Sequence, residues 1–269
     1  MNNAEKPLTI LDLADMKRRG TKIACLTAYD ASFASLLDQA GVDVILVGDS
    51  LGMVIQGHGS TLPVTMDDMV YHTRCVSRGR RRAFVIADMP FMSYPNSEVA
   101  AENAARLMRE GGARMVKLEG GRNRRDAISH MVAQGIPVCG HLGLQPQSIN
   151  QLGGYRVQGR GRAAATAMRE DAQILQDAGA TMLVLECVPA GLAEKISVSL
   201  TIPVIGIGAG IHCDGQVLVL YDILGVGGGG RRPRFCKDFM AQTGNIVDAV
   251  EDFVDEVRGG RFPTEENQY

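Results

Sequence analysis

Short runs of apolar residues recur along the chain and alternate with longer segments whose apolar residues have helical spacing. An apolar run bounded by turn-forming residues predicts a strand covered on both faces, as in a parallel sheet between helices. The predicted strands are residues 23–28, 42–48, 83–87, 115–118, 136–140, 182–185, 202–207 and 217–220. The predicted helices are residues 9–19, 30–40, 67–76, 97–109, 125–133, 163–178 and 246–257.

The order of these segments predicts a parallel barrel. Strands that are each followed by a helix or helical turn, at spacings of about 20–45 residues, are typical of βα units with right-handed crossovers. The 269 residues suit a closed (β/α)8 barrel, which takes about 250. An open doubly wound sheet is the alternative, disfavoured because no G-x-G-x-x-G turn follows the first strand. We predict an α/β fold in which residues 1–269 form a single (β/α)8 TIM barrel domain.

Two predicted helices fall outside the barrel repeat. The N-terminal helix at 9–19 is closed by Gly20, and it would either cover the bottom of the barrel or reach a neighbouring subunit. The C-terminal helix at 246–257 carries one apolar stripe, formed by Ile246, Val250, Phe253, Val254 and Val257. We expect both helices as additions to the barrel.

Ionisable residues stand at the ends of five predicted strands. They are Asp49, Asp88, Glu119, His141 and Glu186. In α/β barrels the carboxyl ends of the strands converge on the face that carries the active site. Their repeated placement therefore predicts one functional site at the barrel mouth.

Asp49, Asp88 and Glu119 follow the second, third and fourth strands. Neighbouring strands lie about 4.8 Å apart, so the three carboxylates would repel one another unless protons or a cation neutralised them. Mg²⁺, a hard ion that prefers oxygen ligands, suits this set, and no Cys or His cluster accompanies it to favour a softer metal. A single Asp before a loop is more often a cap or turn former, so the prediction depends on the three acids together.

Lys117 and Glu119 point to the same face of the fourth strand, because residues two apart in a strand share a face. Such a pair either binds a ligand or forms an internal ion pair, and the sequence leaves both open. Glu186 would lie across the mouth as a general base, the alternative being a turn before Pro189. His141 is a candidate for substrate binding or proton transfer, or a structural residue.

Together these groups suit proton removal from an α-keto acid. Mg²⁺ would chelate the keto oxygen and the carboxylate, and Lys117 would neutralise the remaining charge. Chelation would stabilise the enolate that forms when the base removes the adjacent C–H proton. The residues alone do not identify the electrophile. We expect the glycine-rich residues 206–210 to form a close-packed turn rather than a phosphate-binding loop, and 227–230 to form a flexible loop.

Composition excludes several classes of protein. The net charge is -2 and the sequence pI is about 6.2, so no overall field favours nucleic acid. No segment reaches the roughly 18 apolar residues of a membrane span, and no signal peptide is predicted. The six cysteines are scattered without a C-x-x-C pair, which favours a reducing, cytoplasmic compartment. Arginine clusters at 78–82, 122–125 and 231–234 predict solvated loops and helix ends, with an anionic ligand tail as the minority alternative.

Eight segments of the chain resemble the ketopantoate hydroxymethyltransferase (3-methyl-2-oxobutanoate hydroxymethyltransferase) family. They are LTAYD at 26–30, VGDSLGMVIQGHGSTLPVT at 47–65, ADMPFMSY at 87–94, VKLEGG at 116–121, VCGHLGLQPQSIN at 138–150, GGYRVQGR at 153–160, LVLECVP at 183–189 and IPVIGIGAG at 202–210. The segments at 47–65, 138–150 and 153–160 are long and unusual, and the similarity runs over nearly the whole chain.

This resemblance implies a barrel of the phosphoenolpyruvate-utilising type that binds one Mg²⁺ per subunit. The implied reaction moves a hydroxymethyl group from 5,10-methylenetetrahydrofolate to 3-methyl-2-oxobutanoate, the first committed step towards pantothenate. The implied metal ligands are Asp49, Asp88 and Glu119, and the implied proton acceptor is Glu186. The implied keto-acid contacts are Asp49, Ser50, Asp88 and Lys117. It also implies a cytoplasmic homo-oligomer, often a decamer.

One stretch departs from the family pattern, and other functions remain as alternatives. Family members carry a short GG-x-x-P-[RK]-F segment after the last strand, whereas four glycines and two arginines precede Pro233 here. A Mg²⁺-dependent carbon–carbon lyase on another 2-oxo acid is the second enzymatic hypothesis, and a Schiff-base aldolase using Lys117 is the third. A barrel that serves only as an assembly or regulatory scaffold is the non-enzymatic alternative.

Overall fold

The strands form a closed parallel barrel in the computed structural model, which describes residues 6–227 and 232–269. Within these residues the strands are β1 Ile23–Thr27, β2 Val44–Val47, β3 Phe84–Asp88, β4 Met115–Glu119, β5 Val138–Gly143, β6 Met182–Glu186, β7 Val204–Ile207 and β8 Gly215–Leu218. They pair in chain order, and β8 closes the barrel by pairing with β1. The predicted (β/α)8 barrel is therefore confirmed.

Helices connect the strands and cover the outside of the barrel. The described helices are α1 Ile10–Arg18, α2 Ala31–Gln39, α3 Leu51–Val54, α4 Met66–Gly79, α5 Ser97–Arg109, α6 Arg125–Ala133, α7 Ile149–Leu152, α8 Arg162–Asp177, α9 Ala190–Ser199, α10 Leu220–Ile223, α11 Met240–Thr243 and α12 Ile246–Arg258. Short 3-10 turns cover Arg122–Arg124, Pro146–Ser148 and Glu265–Asn267. None of the helices in the described part of the chain has the length and apolar character that crossing a membrane requires.

Local sequence explains where the longer helices begin. Asp30 caps α2 by accepting a hydrogen bond from the backbone N–H of Phe33 at 2.9 Å, which satisfies one of the free donors of the first turn. Thr9 and Thr65 open α1 and α4 through capping boxes. On α5, Ala100, Ala104 and Leu107 are buried, as the spacing of one helical face requires.

The predicted boundaries are wrong at two strands that bear on the mouth. The fifth strand continues past residue 140 to Gly143 and so includes His141. The last strand begins earlier than predicted, because Gly215 and Gln216 pair with β1 and β7. It also ends earlier, because Thr27 Oγ1 accepts a hydrogen bond at 2.9 Å from the N–H of Leu220, the first residue of α10.

The N-terminal helix α1 covers the bottom of the barrel, one of the two positions predicted for it. Lys17 donates hydrogen bonds of 2.8 Å and 2.9 Å to the carbonyls of Ser197 and Ile202, and its Nζ lies 2.7 Å from Asp214 Oδ2. Ile202 lies two residues before β7, and Asp214 lies directly before β8. The contacts therefore place α1 at the end of the barrel opposite the predicted site.

The C-terminal helix α12 packs the predicted apolar stripe against the barrel. Val250, Phe253, Val254 and Val257 are buried, and Ile246 is partly buried. The Phe253 ring contacts Phe239 edge to face, with centroids 5.6 Å apart. The predicted loop at 227–230, and Arg231 beside it, lie largely outside the described residues.

Candidate active site at the barrel mouth

The predicted site residues meet at the carboxyl ends of the strands. A cavity of about 850 Å³ opens there. Its lining includes all of the predicted residues, which are Asp49, Ser50, Asp88, Lys117, Glu119, His141 and Glu186. Asp88, Glu119 and Glu186 are the last residues of β3, β4 and β6, while Asp49 lies two residues beyond β2. The parallel register therefore brings four acidic side chains together at the mouth of the barrel.

Asp88 and Lys117 form the inner ion pair of the cavity. They face each other in the register of β3 and β4, and Asp88 Oδ1 lies 2.9 Å from Lys117 Nζ. Burial by itself would lower the pKa of Lys117, but the charges of Asp88, Glu119 and Asp49 outweigh it and raise this pKa above its ordinary value. Lys117 is therefore a permanent cation in this site.

His141 connects Lys117 to Glu186. Its Nδ1 lies 3.2 Å from Lys117 Nζ, and its Nε2 lies 3.3 Å from Glu186 Oε2. Burial, together with the charge of Lys117, lowers the pKa of His141 well below its ordinary range. The ring is therefore neutral at pH 7. Because the ammonium group can only donate to Nδ1, the imidazole proton belongs on Nε2, which faces the Glu186 carboxylate.

Glu186 is held rigidly at the end of β6. Its carbonyl accepts a hydrogen bond of 2.8 Å from the N–H of Leu144. The next residue, Cys187, has a left-handed φ of 49°, an unfavourable conformation that the surrounding structure must hold. Burial raises the pKa of Glu186 to about 7, although the charge of Lys117 acts in the opposite direction. This carboxylate can therefore accept a proton near neutral pH.

Asp49 and Glu119 are the other two acids among the predicted residues that line the cavity, and Glu119 Oε1 lies 3.7 Å from His141 Nδ1. Burial and the charge of Asp88 raise the pKa of Asp49 to about 7. Burial and the charge of Asp49 likewise raise the pKa of Glu119 well above its ordinary value. The backbone N–H of Asp49 donates to Asp88 Oδ2 at 3.1 Å, and Ser50 Oγ lies 2.9 Å from the hydroxyl of Tyr29.

Gln147 is a buried residue of this site that the sequence analysis did not single out. Its side-chain Nε2 donates to Asp49 Oδ2 at 2.8 Å and to the carbonyl of Met89 at 2.9 Å. Its backbone N–H donates to Glu119 Oε2 at 3.0 Å. It belongs to the long family-like segment at 138–150, but no periodicity or strand end marks the residue itself. The resemblance was the one signal that pointed to it.

The donor set fits a hard divalent ion, although the acids do not enclose a preformed site. Within residues 6–227 and 232–269, no group of three or more His, Cys, Asp or Glu side chains is arranged so that it could hold a metal ion. The buried acids nevertheless outnumber the cation Lys117, and the raised pKa values of Asp49 and Glu119 express that excess. A divalent ion would relieve it. Mg²⁺ commonly uses one or two carboxylates and takes its other ligands from water and substrate.

The outer part of the cavity is formed by loops and by the end of the chain. Tyr155 and Arg156, in the loop after α7, line one side, and Phe235 and Tyr269 line another. The backbone N–H of Ala190 donates to the carbonyl of Tyr269 at 2.8 Å. Tyr269 is thereby held at the mouth.

The glycine-rich turn after β7 is close-packed, as predicted. A Cβ atom on Gly208 would lie 3.0 Å from a ring carbon of Phe235, and one on Gly210 would lie 2.5 Å from the side chain of Ala190. Among the arginine clusters, Arg232 pairs with Asp238 at 2.8 Å and Arg122 pairs with Asp171 at 2.6 Å. Arg232 and Arg234 also line the outer cavity.

Known proteins are similar to this chain over nearly its whole length. A sequence model of the ketopantoate hydroxymethyltransferase family matches residues 7–265. The 3-methyl-2-oxobutanoate hydroxymethyltransferase of Nitrosococcus oceani is 60% identical over 262 residues, covering 97% of this chain and 99% of the relative. The enzyme of the same name from Methylococcus capsulatus is 58% identical over 263 residues, covering 98% and 97% of the two chains.

Solved structures at low sequence identity share the fold. A phosphonopyruvate hydrolase in complex with oxalate and Mg²⁺ has a TM-score of 0.62 at 14% identity, covering 93% of this chain and 94% of the other. A 2,3-dimethylmalate lyase, described as a member of the PEP mutase/isocitrate lyase superfamily, has a TM-score of 0.56 at 16% identity, covering 78% and 80%. These similarities show that the barrel fold is shared with these structures.

Proposed function

This chain belongs to the ketopantoate hydroxymethyltransferase family, and we propose that it transfers a hydroxymethyl group from 5,10-methylenetetrahydrofolate to 3-methyl-2-oxobutanoate. The products are 2-dehydropantoate and tetrahydrofolate. A water molecule balances the reaction and supplies the hydroxyl oxygen. The observation that carries the proposal is the buried row of Asp88, Lys117, His141 and Glu186 across the cavity.

Asp49, Asp88 and Glu119 are the residues that would hold Mg²⁺. When bound, the ion would polarise the keto group of the substrate and stabilise the negative charge that develops on its oxygen. Lys117 stays protonated and neutralises the substrate carboxylate. Ser50, beside Asp49, lies on the cavity wall and supplies a hydroxyl for hydrogen bonding to the keto acid.

Glu186 removes the proton from C3 of the keto acid. Its raised pKa makes it a stronger base than an exposed carboxylate, and efficient general bases have pKa values near the working pH. His141 Nε2 faces the Glu186 carboxylate at 3.3 Å, and Lys117 Nζ lies 3.2 Å from the other ring nitrogen, so the ring is fixed directly beside the base. His141 is thus a positioning residue for the base.

The cavity has room for both substrates. Its volume of about 850 Å³ lies in the range of about 300–1,000 Å³ that is usual for small-molecule sites. The keto acid fits the charged inner end. The folate then occupies the outer end, between Tyr155 and Tyr269.

A folate-dependent assay tests the proposal directly. We expect 2-dehydropantoate to form from 3-methyl-2-oxobutanoate and 5,10-methylenetetrahydrofolate, and the reaction to stop when a chelator removes Mg²⁺. A lyase would instead cleave an oxaloacetate- or isocitrate-type substrate without folate. A scaffold protein would bind no keto acid in calorimetry even with Mg²⁺ present. Either of these results would contradict the transferase assignment.

The variant Glu186→Gln separates the base from the rest of the site. Because the amide cannot accept the proton, we expect proton exchange at C3 to fall by about 10²- to 10⁴-fold, the usual contribution of a general base. Mg²⁺ binding should remain within a few-fold of the unsubstituted chain. The matched control is Glu194→Gln, which alters an exposed helix residue. Exchange at the unsubstituted rate would remove Glu186 from this role.

Lys117 is not proposed as a Schiff-base nucleophile. An amine attacks a carbonyl only in its neutral form, whereas the surrounding acids hold Lys117 protonated. We therefore expect no covalent adduct after treatment with the keto acid and borohydride, as judged by mass spectrometry. Activity in chelator together with a trapped adduct would favour the aldolase hypothesis.

We further propose a cytoplasmic homo-oligomer, with ten subunits, that acts in pantothenate formation. The family membership supports this assembly. Large apolar side chains such as Leu11 and Val198 are exposed on the single chain and would be available to contact another subunit. Sedimentation equilibrium compares the particle mass with the 28.8 kDa of one chain. A monomer at micromolar concentration would contradict the proposal.

A further inference from the structure

One buried residue, Gln147, connects two of the proposed metal-binding acids. Its side chain contacts Asp49 Oδ2 at 2.8 Å, and its backbone N–H contacts Glu119 Oε2 at 3.0 Å. The residue belongs to the 3-10 turn Pro146–Ser148 that follows β5, whereas the acids follow β2 and end β4. A single turn therefore fixes two carboxylates from different strands.

The orientation of the Gln147 amide is determined by its neighbours. The hydroxyl of Tyr94 donates to Gln147 Oε1. The amide nitrogen faces two acceptors, Asp49 Oδ2 and the carbonyl of Met89. Both ends of the amide are satisfied in only one of its two flipped orientations. The amide must therefore present its N–H groups to Asp49.

A second layer holds Tyr94 in place. The guanidinium of Arg124 lies over the Tyr94 ring at 4.8 Å from its centroid, and Arg124 Nε donates to the carbonyl of Glu119 at 3.1 Å. Neither Gln147 nor Tyr94 lines the cavity. They can act on a bound ligand only through the acids that they contact.

We propose that Gln147 is a positioning residue for the divalent cation, and that Tyr94 fixes its amide for that role. The inference rests on the proposed function, because it requires Mg²⁺ at Asp49 and Glu119. Hydrogen-bond partners behind metal-binding side chains orient those side chains, and removing such a partner typically weakens metal affinity by about 10- to 100-fold. Gln147 also keeps Asp49 and Glu119 at a set separation while the site holds no ion.

The variants Gln147→Met and Tyr94→Phe test this role. Methionine keeps the length of the side chain but has no amide. Phenylalanine removes the hydroxyl that orients Gln147 and that also accepts a hydrogen bond at 3.4 Å from the N–H of Glu119. The matched control is Gln151→Met, on the exposed side of α7. Isothermal calorimetry of Mg²⁺ into each full-length protein, with 3-methyl-2-oxobutanoate present, measures the affinity.

We expect Mg²⁺ affinity to fall about 10- to 100-fold in Gln147→Met, less in Tyr94→Phe, and not at all in Gln151→Met. At saturating Mg²⁺ the kcat of both site variants should recover to within a few-fold of the unsubstituted value. A residue needed only for folding would lower kcat and affinity together without recovery. If Gln147→Met does not fold, Tyr94→Phe carries the test. Unchanged affinity in the folded variants overturns the inference.

The two proposals fail in different ways. If the unsubstituted protein neither binds Mg²⁺ nor forms 2-dehydropantoate, the proposed function and the positioning role both fall. If the unsubstituted protein does both, and Gln147→Met and Tyr94→Phe match its Mg²⁺ affinity, only the positioning role is lost.

Discussion

Burial acts in opposite directions on two ionisable side chains that face each other at the mouth. It raises the pKa of Glu186 to about 7 and lowers the pKa of His141 well below its ordinary range. Both shifts favour the uncharged form, as desolvation requires. Their nitrogen and oxygen lie 3.3 Å apart, so a neutral donor meets an acid that titrates near neutrality. The ionisation of Glu186, and with it its ability to accept a proton, therefore changes with pH near neutrality.

Proton exchange at C3 of the keto acid should follow the ionisation of Glu186. Only the carboxylate accepts a proton, so we expect the rate to fall about tenfold per pH unit below about 7 and to level off above it. NMR of deuterium incorporation between pH 5.5 and 8.5 measures this rate. Saturating Mg²⁺ keeps Asp49 ionised, so that the remaining inflection belongs to Glu186. A flat profile over this range would contradict the assignment.

The strand-end acids were predictable from the sequence, whereas the residue that connects them was not. Asp49, Asp88 and Glu119 each follow a short, mostly apolar run, and parallel strands bring such ends to one face. Gln147 lies in a turn, and only the tertiary structure shows that it contacts Asp49. The left-handed conformation of Cys187 could likewise not be predicted from the sequence, because only glycine commonly indicates that conformation.

At the scale of elements, the junction of β5 and β6 positions the base. Gly143 faces Glu186 in the strand register and has a φ of 95°. A Cβ atom there would lie 2.1 Å from the carbonyl oxygen of Glu186, which is far inside van der Waals contact. Glycine is therefore required both for the backbone conformation and for the close approach of the two strands.

Replacing Gly143 by alanine should displace Glu186 and reduce catalysis. We expect at least a 100-fold loss of C3 proton exchange, since small misplacements of a reacting group have effects of this size. The control is Gly135→Ala, which has a similar φ of 81° but no atom within 4 Å of the added carbon. Both variants carry left-handed strain of about 1–2 kcal/mol. Urea unfolding measures this shared loss of stability, and the difference between the two variants in C3 proton exchange then reports the contact of the added carbon with Glu186. Equal activity in the two variants would refute this role of Gly143.

The barrel elements were predictable because each buried strand is a separate apolar run with a helix behind it. The four-residue helices α3, α7, α10 and α11 were not predicted, since one turn is too short to show helical periodicity. The ten-residue helix α9, between β6 and β7, was also not predicted. The predicted last strand begins two residues too late, because Gly215 and Gln216 are not apolar and so do not extend the apolar run. Their place in the sheet depends on closure against β1 and β7.

At the scale of the whole molecule, the buried mouth of the barrel contains more carboxyl groups than cationic side chains. Asp49, Asp88, Glu119 and Glu186 are opposed by one lysine and a neutral histidine. Burial raises the pKa of Glu186 to about 7, and burial together with the charge of Asp88 raises the pKa of Asp49 to about 7, so both acids retain protons near neutral pH. A site built for a cation is therefore expected to destabilise the metal-free fold at alkaline pH.

This excess predicts how stability depends on pH and Mg²⁺. Because the pKa of Asp49 rises from 3.8 to about 7 on folding, its contribution is complete below about pH 4 and is lost as the pH rises through about 7. We expect metal-free Asp49→Asn to be more stable than the unsubstituted chain at pH 8, by on the order of 3 kcal/mol. That advantage should shrink as the pH falls to 5. Urea unfolding at each pH measures the difference, with the exposed Glu102→Gln as the control.

Saturating Mg²⁺ should reverse the order at pH 8. Ligand binding stabilises only the protein that can bind the ion, so the unsubstituted chain gains stability and Asp49→Asn gains little. His141 acts in the opposite sense: its lowered pKa contributes stability above about pH 6.5 that is lost in acid, and it does so equally in both proteins. The difference between the two unfolding free energies therefore reports Asp49 together with its effect on the pKa of Glu119. If the two proteins lose stability in parallel from pH 5 to 8, with and without Mg²⁺, the buried acids do not form a cation site.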